Sequence, residues 1–475
     1  MRPPVTDAEF DSLPLIETHF TSRTAFVAVV VLALAKGLVW SVVLPPWYGP
    51  DEPSHYAYVQ QMVEDRRLPI AYEANAGFAP EILCSQNNVD IGPFGPFRAE
   101  PPFGSTPRCT ASSPSDRHAT DPNNPAGAYA PVYYGAAIPF YLLAQPLSVE
   151  ARLAAVRLWS VLLGTLAAAF AFLAARWAFP SSLPLATAAA VLFVLQPMNS
   201  QQTAVVNNDA LLIAAAAAFW WRYFRCLRKG ITTRDGFIFG GLVGLAYLAK
   251  PQGLFLAAAL PALYWFAVKR ESIRTELTRI VRLGAAVAAP IVGCVAIARV
   301  FLSLGGNPSF LPPSKEGVHG LQLYLMDFIW GNYERVYWMY VTSFWGYFGS
   351  FQADLPNFVY VIITLVVVAG VVGAVWLLVT SRPLRPLVLA SALGLLLPAG
   401  LTQLLEFYLF RSTGSLVLQG RSFLMVLIPL IVVLILGWRR LFPTRANSAV
   451  AAAVVLAATA LNVLSLAVML EVFYG

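Results

Sequence analysis

The chain is a series of long apolar runs separated by polar segments. Runs at 25–44, 153–175, 183–200, 209–226, 236–249, 253–268, 283–302, 357–380, 387–405, 423–437 and 449–471 carry few charges, and the first holds Lys36 as its only one. A helix rises about 1.5 Å per residue, so about 20 apolar residues cross a hydrocarbon core of about 30 Å. The pattern predicts an all-α polytopic membrane protein with about 11 transmembrane helices, or alternatively 12. Residues 45–130 break it with Pro, Gly, Asn and charge, residues 303–356 with aromatic and polar residues, and a shorter break covers about 406–421.

The basic residues between the runs set the direction of travel. Clusters at 222–229 with Arg234, 269–282, 381–386 and 438–445 each follow a run that can be directed inward. Placing all four in the cytoplasm gives one self-consistent topology. The run 153–175 must then travel inward and start on the same outer side as the loop 45–130. The apolar stretch 131–147 is short, and Pro139 and Pro146 interrupt it. It is expected to be a broken, re-entrant or interfacial segment buried in protein. The divisions read as a cytoplasmic tail 1–24, a membrane module 25–302 that includes the loop 45–130, a second outer loop 303–356, and C-terminal helices 357–475. The N-terminus is then inside and the C-terminus outside. No internal repeat stands out, which weighs against a pseudosymmetric transporter.

Composition sharpens this picture. Hydrophobic residues make up 58% and charged residues 12%, with a mean hydropathy of +0.64. Soluble domains carry about 25% charged residues, so the composition nearly excludes a soluble enzyme or a disordered protein. The net charge of +7 then belongs to cytoplasmic loops and does not indicate a nucleic-acid partner. The tail carries Asp7, Glu9, Asp11 and Glu17 and lacks the basic n-region and cleavage site of a removable signal. Cys84 and Cys109 share the first outer loop. Only the outer compartment is oxidising, so a bridge between them is expected, the alternative being two free thiols. It would close a loop of about 25 residues and contribute about 3 kcal/mol.

The chemistry is concentrated after the first run. Pro45, Pro46 and Pro50 end that helix, and Asp51-Glu52-Pro53 opens the next, with Asp51 placed as its N-cap. A helix over about 53–66 would put His55, Tyr58 or Val59, and Met62 on one face, suited to lying flat on the membrane. Asp51 and Glu52 would then sit at the membrane–water boundary beside an apolar cavity. The alternative is that Asp51 merely caps a surface helix.

An Asp-Glu pair just outside a first span, leading into an amphipathic helix, resembles the GT-C superfamily of integral-membrane glycosyltransferases that use polyprenyl-phosphate sugars. Pro50-Asp51-Glu52-Pro53 is similar to the P-D-E-x-x-Y-A pattern of lipid A aminoarabinose transferases, and protein O-mannosyltransferases also carry Asp-Glu here. The segment Ala130-Pro131-Val132-Tyr133-Tyr134 resembles their K-P-P-L-x-Y element but lacks the Lys or His and the second Pro. The segment opening at Arg157 resembles R-L-P-S-A-L-x-G, Asn207-Asn208-Asp209-Ala210 falls where an Asp-Ala pair opens a span, and Lys250-Pro251 resembles a T-K-G-P element. Together with Gln419-Gly420-Arg421, the set resembles still more an uncharacterised family of polytopic proteins with D-E-P-x-H near the start and Q-G-R-Y-F near the end.

The resemblance implies sugar transfer from a polyprenyl-phosphate donor to a hydroxyl of an extracytoplasmic glycan, lipid or protein acceptor, at the outer face of a bacterial inner membrane. It implies Asp51 as general base, with Glu52 orienting it or binding acceptor. Asp209 is a second carboxylate, or else a helix cap beside Asn207 and Asn208. His55, Arg152, Arg157, Lys250 and Arg421 are the candidates for the donor phosphate. Lys250 and Arg421 run against the inside bias of positive charge, and Gly420 would let a ligand approach Arg421 closely. Tyr133, Asn208, Asp209, Gln419 and Glu334 are candidate substrate contacts. The aromatic segment around Glu334 and Arg335 reads either as an interfacial belt or as a wall that stacks sugar or shields lipid. No His/Cys/Asp/Glu spacing typical of a metal site occurs, so a divalent metal has no support and no cofactor is expected. A transporter or flippase of a lipid-linked sugar is the alternative, and a non-catalytic scaffold the third reading.

Overall fold

The computed structural model describes residues 21–71, 77–88, 114–268, 272–305, 320, 324–326, 337–349, 351–413, 419–443 and 446–475. Most of these residues are helical. The first half comprises α1 (Ser22–Val43), α2 (Glu52–Glu64), α3 (Pro80–Asn88), α4 (Val132–Leu143), α5 (Val149–Ala178), α6 (Leu183–Leu195), α7 (Pro197–Gln202) and α8 (Asp209–Lys229). Then follow α9 (Thr233–Ala249), a 3₁₀ stretch Pro251–Ala259, α10 (Leu260–Ala267) and α11 (Ile273–Leu304). The last part holds α12 (Asn357–Thr380), α13 (Arg385–Thr413), a 3₁₀ stretch Gly420–Val426, α14 (Leu427–Leu441) and α15 (Asn447–Tyr474). A two-residue hairpin pairs Tyr347 with Asp354 and Phe348 with Ala353.

Each of the eleven apolar runs falls on helical structure. Among the described residues, eight helices are long and apolar enough to cross a membrane. α6 has 13 residues and α9 has 17, so each falls short of a full hydrocarbon thickness by itself. α8 is hidden on almost every side, consistent with its Ala-rich sequence, and α5, α9 and α10 pack around it. α11 and α12 instead expose long apolar faces, as helices at the rim of a membrane bundle do.

The four basic clusters meet at one end of this bundle. Arg222, at the end of α8, pairs with Asp235 at the start of α9. The first turns of α11, with Arg274 and Arg282, line one cavity together with Thr232 and Thr233. Tyr223 Oη donates to the carbonyl of Ala390 at 2.9 Å, which brings the start of α13 to the same end. Arg440 lies 4.5 Å over the ring of Trp376, near the end of α12. The starts of α8 and the ends of α1 and α9 lie at the opposite end, together with the residues of the Asp51 loop. Tyr474 Oη donates to the carbonyl of Val43 at 3.1 Å, so the last residues of α15 join that end as well.

Two local expectations change. The helix predicted over 53–66 is Glu52–Glu64, and it does not lie with one face open: His55 through Gln61 are all buried. The segment 114–130 covers it, with Asn124 Nδ2 donating to the carbonyl of Ser54 at 2.9 Å. α4 covers another side. Tyr134 meets His55 near the start of both helices, and Tyr141 Oη donates to Glu64 Oε1 at 2.8 Å near their ends. α4 therefore runs alongside α2 and delivers the chain to α5 at the same end. Its 12 residues form one continuous helix with Pro139 inside it and extend only about 18 Å.

Candidate functional site

The end of the bundle opposite the basic clusters gathers Asp51, His55, Asp209, Lys250 and Arg421 from four separate segments, Asp51 and His55 sharing the start of α2. Asp51 occupies the N-cap position of α2, and its carbonyl accepts the first helical hydrogen bond from His55 N at 3.1 Å. Its side chain does not cap the helix, contrary to the sequence expectation. The backbone sits in the left-handed region at φ 58°, which turns the carboxylate away from the orphan amides of the first turn. Asp51 Oδ2 instead lies 3.0 Å from Arg421 Nη2; Asp51 keeps 66% of its side-chain surface exposed and Arg421 only 13%.

A second ion pair stands beside the first. Lys250 Nζ lies 2.7 Å from Asp209 Oδ1. Asp209 opens α8 and Lys250 directly follows α9, and Asn208 Nδ2 joins the two by donating to the carbonyl of Ala249 at 2.8 Å. The two pairs form one electrostatic unit: Arg421 acts on Asp209 as well as Asp51, and Lys250 acts on both Asp51 and His55. Desolvation raises the Asp51 carboxyl, but Arg421, through charge and hydrogen bond, and Lys250 outweigh it and hold the group below its ordinary range. His55 is pushed down to about 3, first by burial, and is neutral at physiological pH.

Three polar atoms of this cluster make no hydrogen bond: Asp209 Oδ2, Asn208 Oδ1 and Arg421 Nη1. Buried polar atoms are nearly always paired in folded proteins, so orphans clustered around two ion pairs mark a place built for a polar ligand. One wall of the cluster is aromatic. The His55 ring stacks against Tyr129 and Tyr134 at 6.0 and 5.8 Å, Tyr58 stacks on Tyr134 at 3.8 Å, and Lys250 Nζ lies 5.9 Å over the Tyr129 ring.

Glu52 and Arg157 take another part. Arg157 Nε and Nη2 donate to Glu52 Oε1 and Oε2 at 2.8 and 2.6 Å. Its remaining donors reach the carbonyls of Ser41, Leu44 and Pro45 at 2.7–2.8 Å. All five N–H groups are thus used, and both residues are buried. Glu52 also accepts from Gly49 N at 3.2 Å and from Val206 N at 2.9 Å. The pair closes the carbonyls left open at the end of α1 and fixes the entry to α2. Arg157, expected as a phosphate ligand, has no donor left for a phosphate, and Glu52 faces away from Asp51. Arg152, also considered for the phosphate, is buried against Glu81 and donates to the carbonyls of Gln145 and Leu147 at 3.1 and 2.9 Å.

The remaining candidates divide in the same way. Tyr133 is buried, with its hydroxyl 2.7 Å from Ser160 Oγ and accepting from Asn207 N at 3.1 Å, so it supports the Asn207-Asn208-Asp209 turn from behind. Asn207 Nδ2 donates to the carbonyl of Pro50 at 3.1 Å and ties that turn to the Asp51 loop. Gln419 precedes the 3₁₀ stretch and caps nothing with its side chain. Gly420 is required by packing: a Cβ there would lie 2.4 Å from both Phe344 N and the carbonyl of Tyr340. Glu334, with Arg335, lies outside the described residues, as does Cys109; Cys84, in α3, is disulfide-bonded. Asp51, Glu52 and His55 diverge toward Arg421, Arg157 and Tyr134, and among the described residues no group of three or more His, Cys, Asp or Glu could hold a metal ion.

Neither Tyr129 nor the stacking of Tyr58 on Tyr134 is expected from the sequence alone. Tyr129 stood directly before the Ala130-Pro131-Val132-Tyr133-Tyr134 element, and an aromatic next to that element was the available signal. Nor does the sequence assign Lys36 a partner; in the structure this buried lysine donates to Thr203 Oγ1 at 3.2 Å.

A helical bundle with a charged cluster beside aromatic rings at one end and its basic clusters at the other is the architecture of a polytopic membrane protein. The chain belongs to the family described as predicted membrane protein (DUF2142), whose model matches residues 34–428. No curated protein matches it. Among solved structures, the oligosaccharyltransferase of Archaeoglobus fulgidus tethered with an acceptor peptide is similar at 13% identity and a TM-score of 0.45, over 95% of this chain and 55% of that one. The same enzyme in complex with Zn and sulfate gives 13% identity and a TM-score of 0.43, over 93% and 53%. The chain spans about half the length of these structures, and TM-scores below 0.5 are too low to carry a conclusion about activity.

Proposed function

We propose that the chain is a membrane glycosyltransferase that moves a sugar from a polyprenyl-phosphate donor to a hydroxyl of a glycan, lipid or protein acceptor, with its site on the extracytoplasmic side of a bacterial inner membrane. The observation that carries this reading is the pairing of Asp51 with Arg421 beside Asp209 with Lys250, with buried polar atoms of the same cluster unsatisfied. The basic clusters at the far end support the orientation through the inside bias of positive charge.

The two cations are suited to a phosphate and the two carboxylates occupy their place. A donor phosphate entering the recess exchanges with Asp51 for Arg421, whose planar fork matches phosphate oxygens, and with Asp209 for Lys250. The exchange frees the Asp51 carboxylate from the cation that depresses its basicity. It can then accept the proton of the acceptor hydroxyl as that oxygen bonds to the anomeric carbon. The bond from the anomeric carbon to the phosphate oxygen breaks, and Arg421 and Lys250 stabilise the charge left on the polyprenyl phosphate. Asp209 binds acceptor or sugar hydroxyls through its free oxygen, with Asn208 beside it. Tyr129 offers a ring face to the sugar. Glu52 and Arg157 position Asp51 through the backbone and take no direct part.

The test is transfer by purified protein in lipid, supplied with polyprenyl-phosphate sugars and envelope acceptors. Transfer that disappears in Asp51→Asn supports the reading. Full activity in a folded Asp51→Asn protein overturns the base assignment. Movement of a lipid-linked sugar across liposomes without any acceptor replaces the enzyme reading with the flippase.

A further inference from the structure

At the far end of α9, about 25 Å along its axis from Lys250, a cavity of about 610 Å³ opens between the start of α9 and the first turns of α11. It is lined by Arg274, Arg279 and Arg282 from α11, with Thr232, Thr233 and Thr278. α11 has 32 residues and a length of about 48 Å, whereas its apolar part, 283–302, in which Arg299 is the one charge, extends about 30 Å. The first ten residues therefore project beyond the hydrocarbon into the headgroup layer. On those turns Ile273, Leu277 and Val281 repeat every four residues and are 89, 61 and 61% exposed. A helix with an uncovered apolar stripe beside an arginine-lined cavity lies in the membrane interface, with the stripe toward acyl chains. Glu276 is the acidic group on the same turns; it lies 3.3 Å from Arg279 and accepts from Tyr264 Oη at 2.5 Å, which leaves Arg274 and Arg282 as the cations it does not contact.

We propose that this cavity binds the phosphate headgroup of an anionic membrane phospholipid, with Arg274, Arg279 and Arg282 as its ligands and the Thr233 hydroxyl as a further donor, the Thr232 and Thr278 hydroxyls being committed to Asp235 and the carbonyl of Arg274. Cavity, charge and depth agree: guanidinium forks match phosphate oxygens, and the acyl chains follow the stripe of α11. The site is separate from the Asp51 recess and stands whatever that recess does.

The experiment uses the full chain in vesicles of phosphatidylcholine with phosphatidylglycerol, followed by native mass spectrometry of the lipid retained after mild extraction. The protein is expected to retain phosphatidylglycerol in preference to phosphatidylcholine, with a loss of about fivefold in retention for each of Arg274→Gln and Arg282→Gln. Arg234→Gln, a cation at the same end outside the cavity, should retain lipid as the parent does. Equal retention of the two lipids overturns the proposal, as does phosphatidylglycerol retention unchanged in a folded Arg274→Gln/Arg282→Gln protein. Inorganic phosphate is added in a parallel arm; if it alone displaces the lipid and stabilises the protein equally, the site is one for free phosphate and the lipid assignment fails.

Discussion

Asp51 Oδ2 and Arg421 Nη2 lie 3.0 Å apart although 370 residues separate them in the chain. This contact joins the loop after the first helix to the 3₁₀ turn that opens α14. It is partly exposed, so its worth to stability is at most about 1 kcal/mol. A pair that contributes so little to folding, made by an aspartate in the left-handed backbone region, is better explained by chemistry than by architecture. Asp51→Asn is expected to lower glycosyl transfer by about 10²–10⁴-fold while leaving the thermal midpoint within a few degrees of the parent. Transfer assays and thermal unfolding on the same preparations check both halves.

Glu52 and Arg157 should behave in the opposite way. Their charges are buried, matched in two hydrogen bonds and surrounded by five further backbone contacts. Arg157→Gln leaves Glu52 as an uncompensated buried carboxylate, and the expected loss is about 3–5 kcal/mol, seen as poor yield and a lowered midpoint. Arg157→Gln with Glu52→Gln should recover part of that loss, because no lone charge remains. A double-mutant cycle measures the recovery. If Arg157→Gln folded as well as the parent and lost only activity, the positioning role would be wrong.

These two neighbours, Asp51 and Glu52, show how far the sequence could be read. Hydrophobic period and charge clustering are local signals, so the helices, the shared end of the basic clusters and the outlying cations Lys250 and Arg421 were legible. Pairings across the fold leave no such mark. Adjacent carboxylates both read as groups of one site, yet a left-handed turn at Asp51 sends one to solvent and Arg421 and the other into a buried fork. For the same reason Arg152 and Arg157 looked like free cations, since Glu81 and Glu52 reach them only after α2, α3 and α5 pack. The α2 helix looked amphipathic because its cover, the segment 114–130 with α4, is remote in sequence and gives its buried glutamines their partners.

His55 makes stability depend on pH. Its folded pKa is depressed to about 3 from an ordinary value of 6.5, first by burial. The unfolded chain therefore binds a proton that the folded chain refuses, and stability falls as pH drops from about 6.5 toward 3, by up to about 1.4 kcal/mol per unit. Above that window His55 is neutral in both states and contributes no slope. His55→Phe should flatten the acid limb of the midpoint-against-pH curve relative to the parent. An unchanged limb would show that the ring is not buried neutral.

Gly420 separates two explanations of the same residue. The sequence suggested that it clears a path for a ligand to Arg421; the structure shows that it clears a path for the backbone of the Tyr340–Phe344 turn, where Gly420 N also donates to Ser343 Oγ at 2.7 Å. A Cβ at 2.4 Å from two backbone atoms cannot be accommodated by a side-chain rotation. Gly420→Ala must push the 3₁₀ turn and the segment 340–344 apart, at a cost of about 1–3 kcal/mol, and move Arg421 with it. The variant should therefore lose stability without any substrate present, and lose activity through a weaker hold on the donor phosphate, seen as a raised KM for donor. A purely ligand-clearing glycine would leave the substrate-free midpoint unchanged, so thermal unfolding of the apo protein decides between the two.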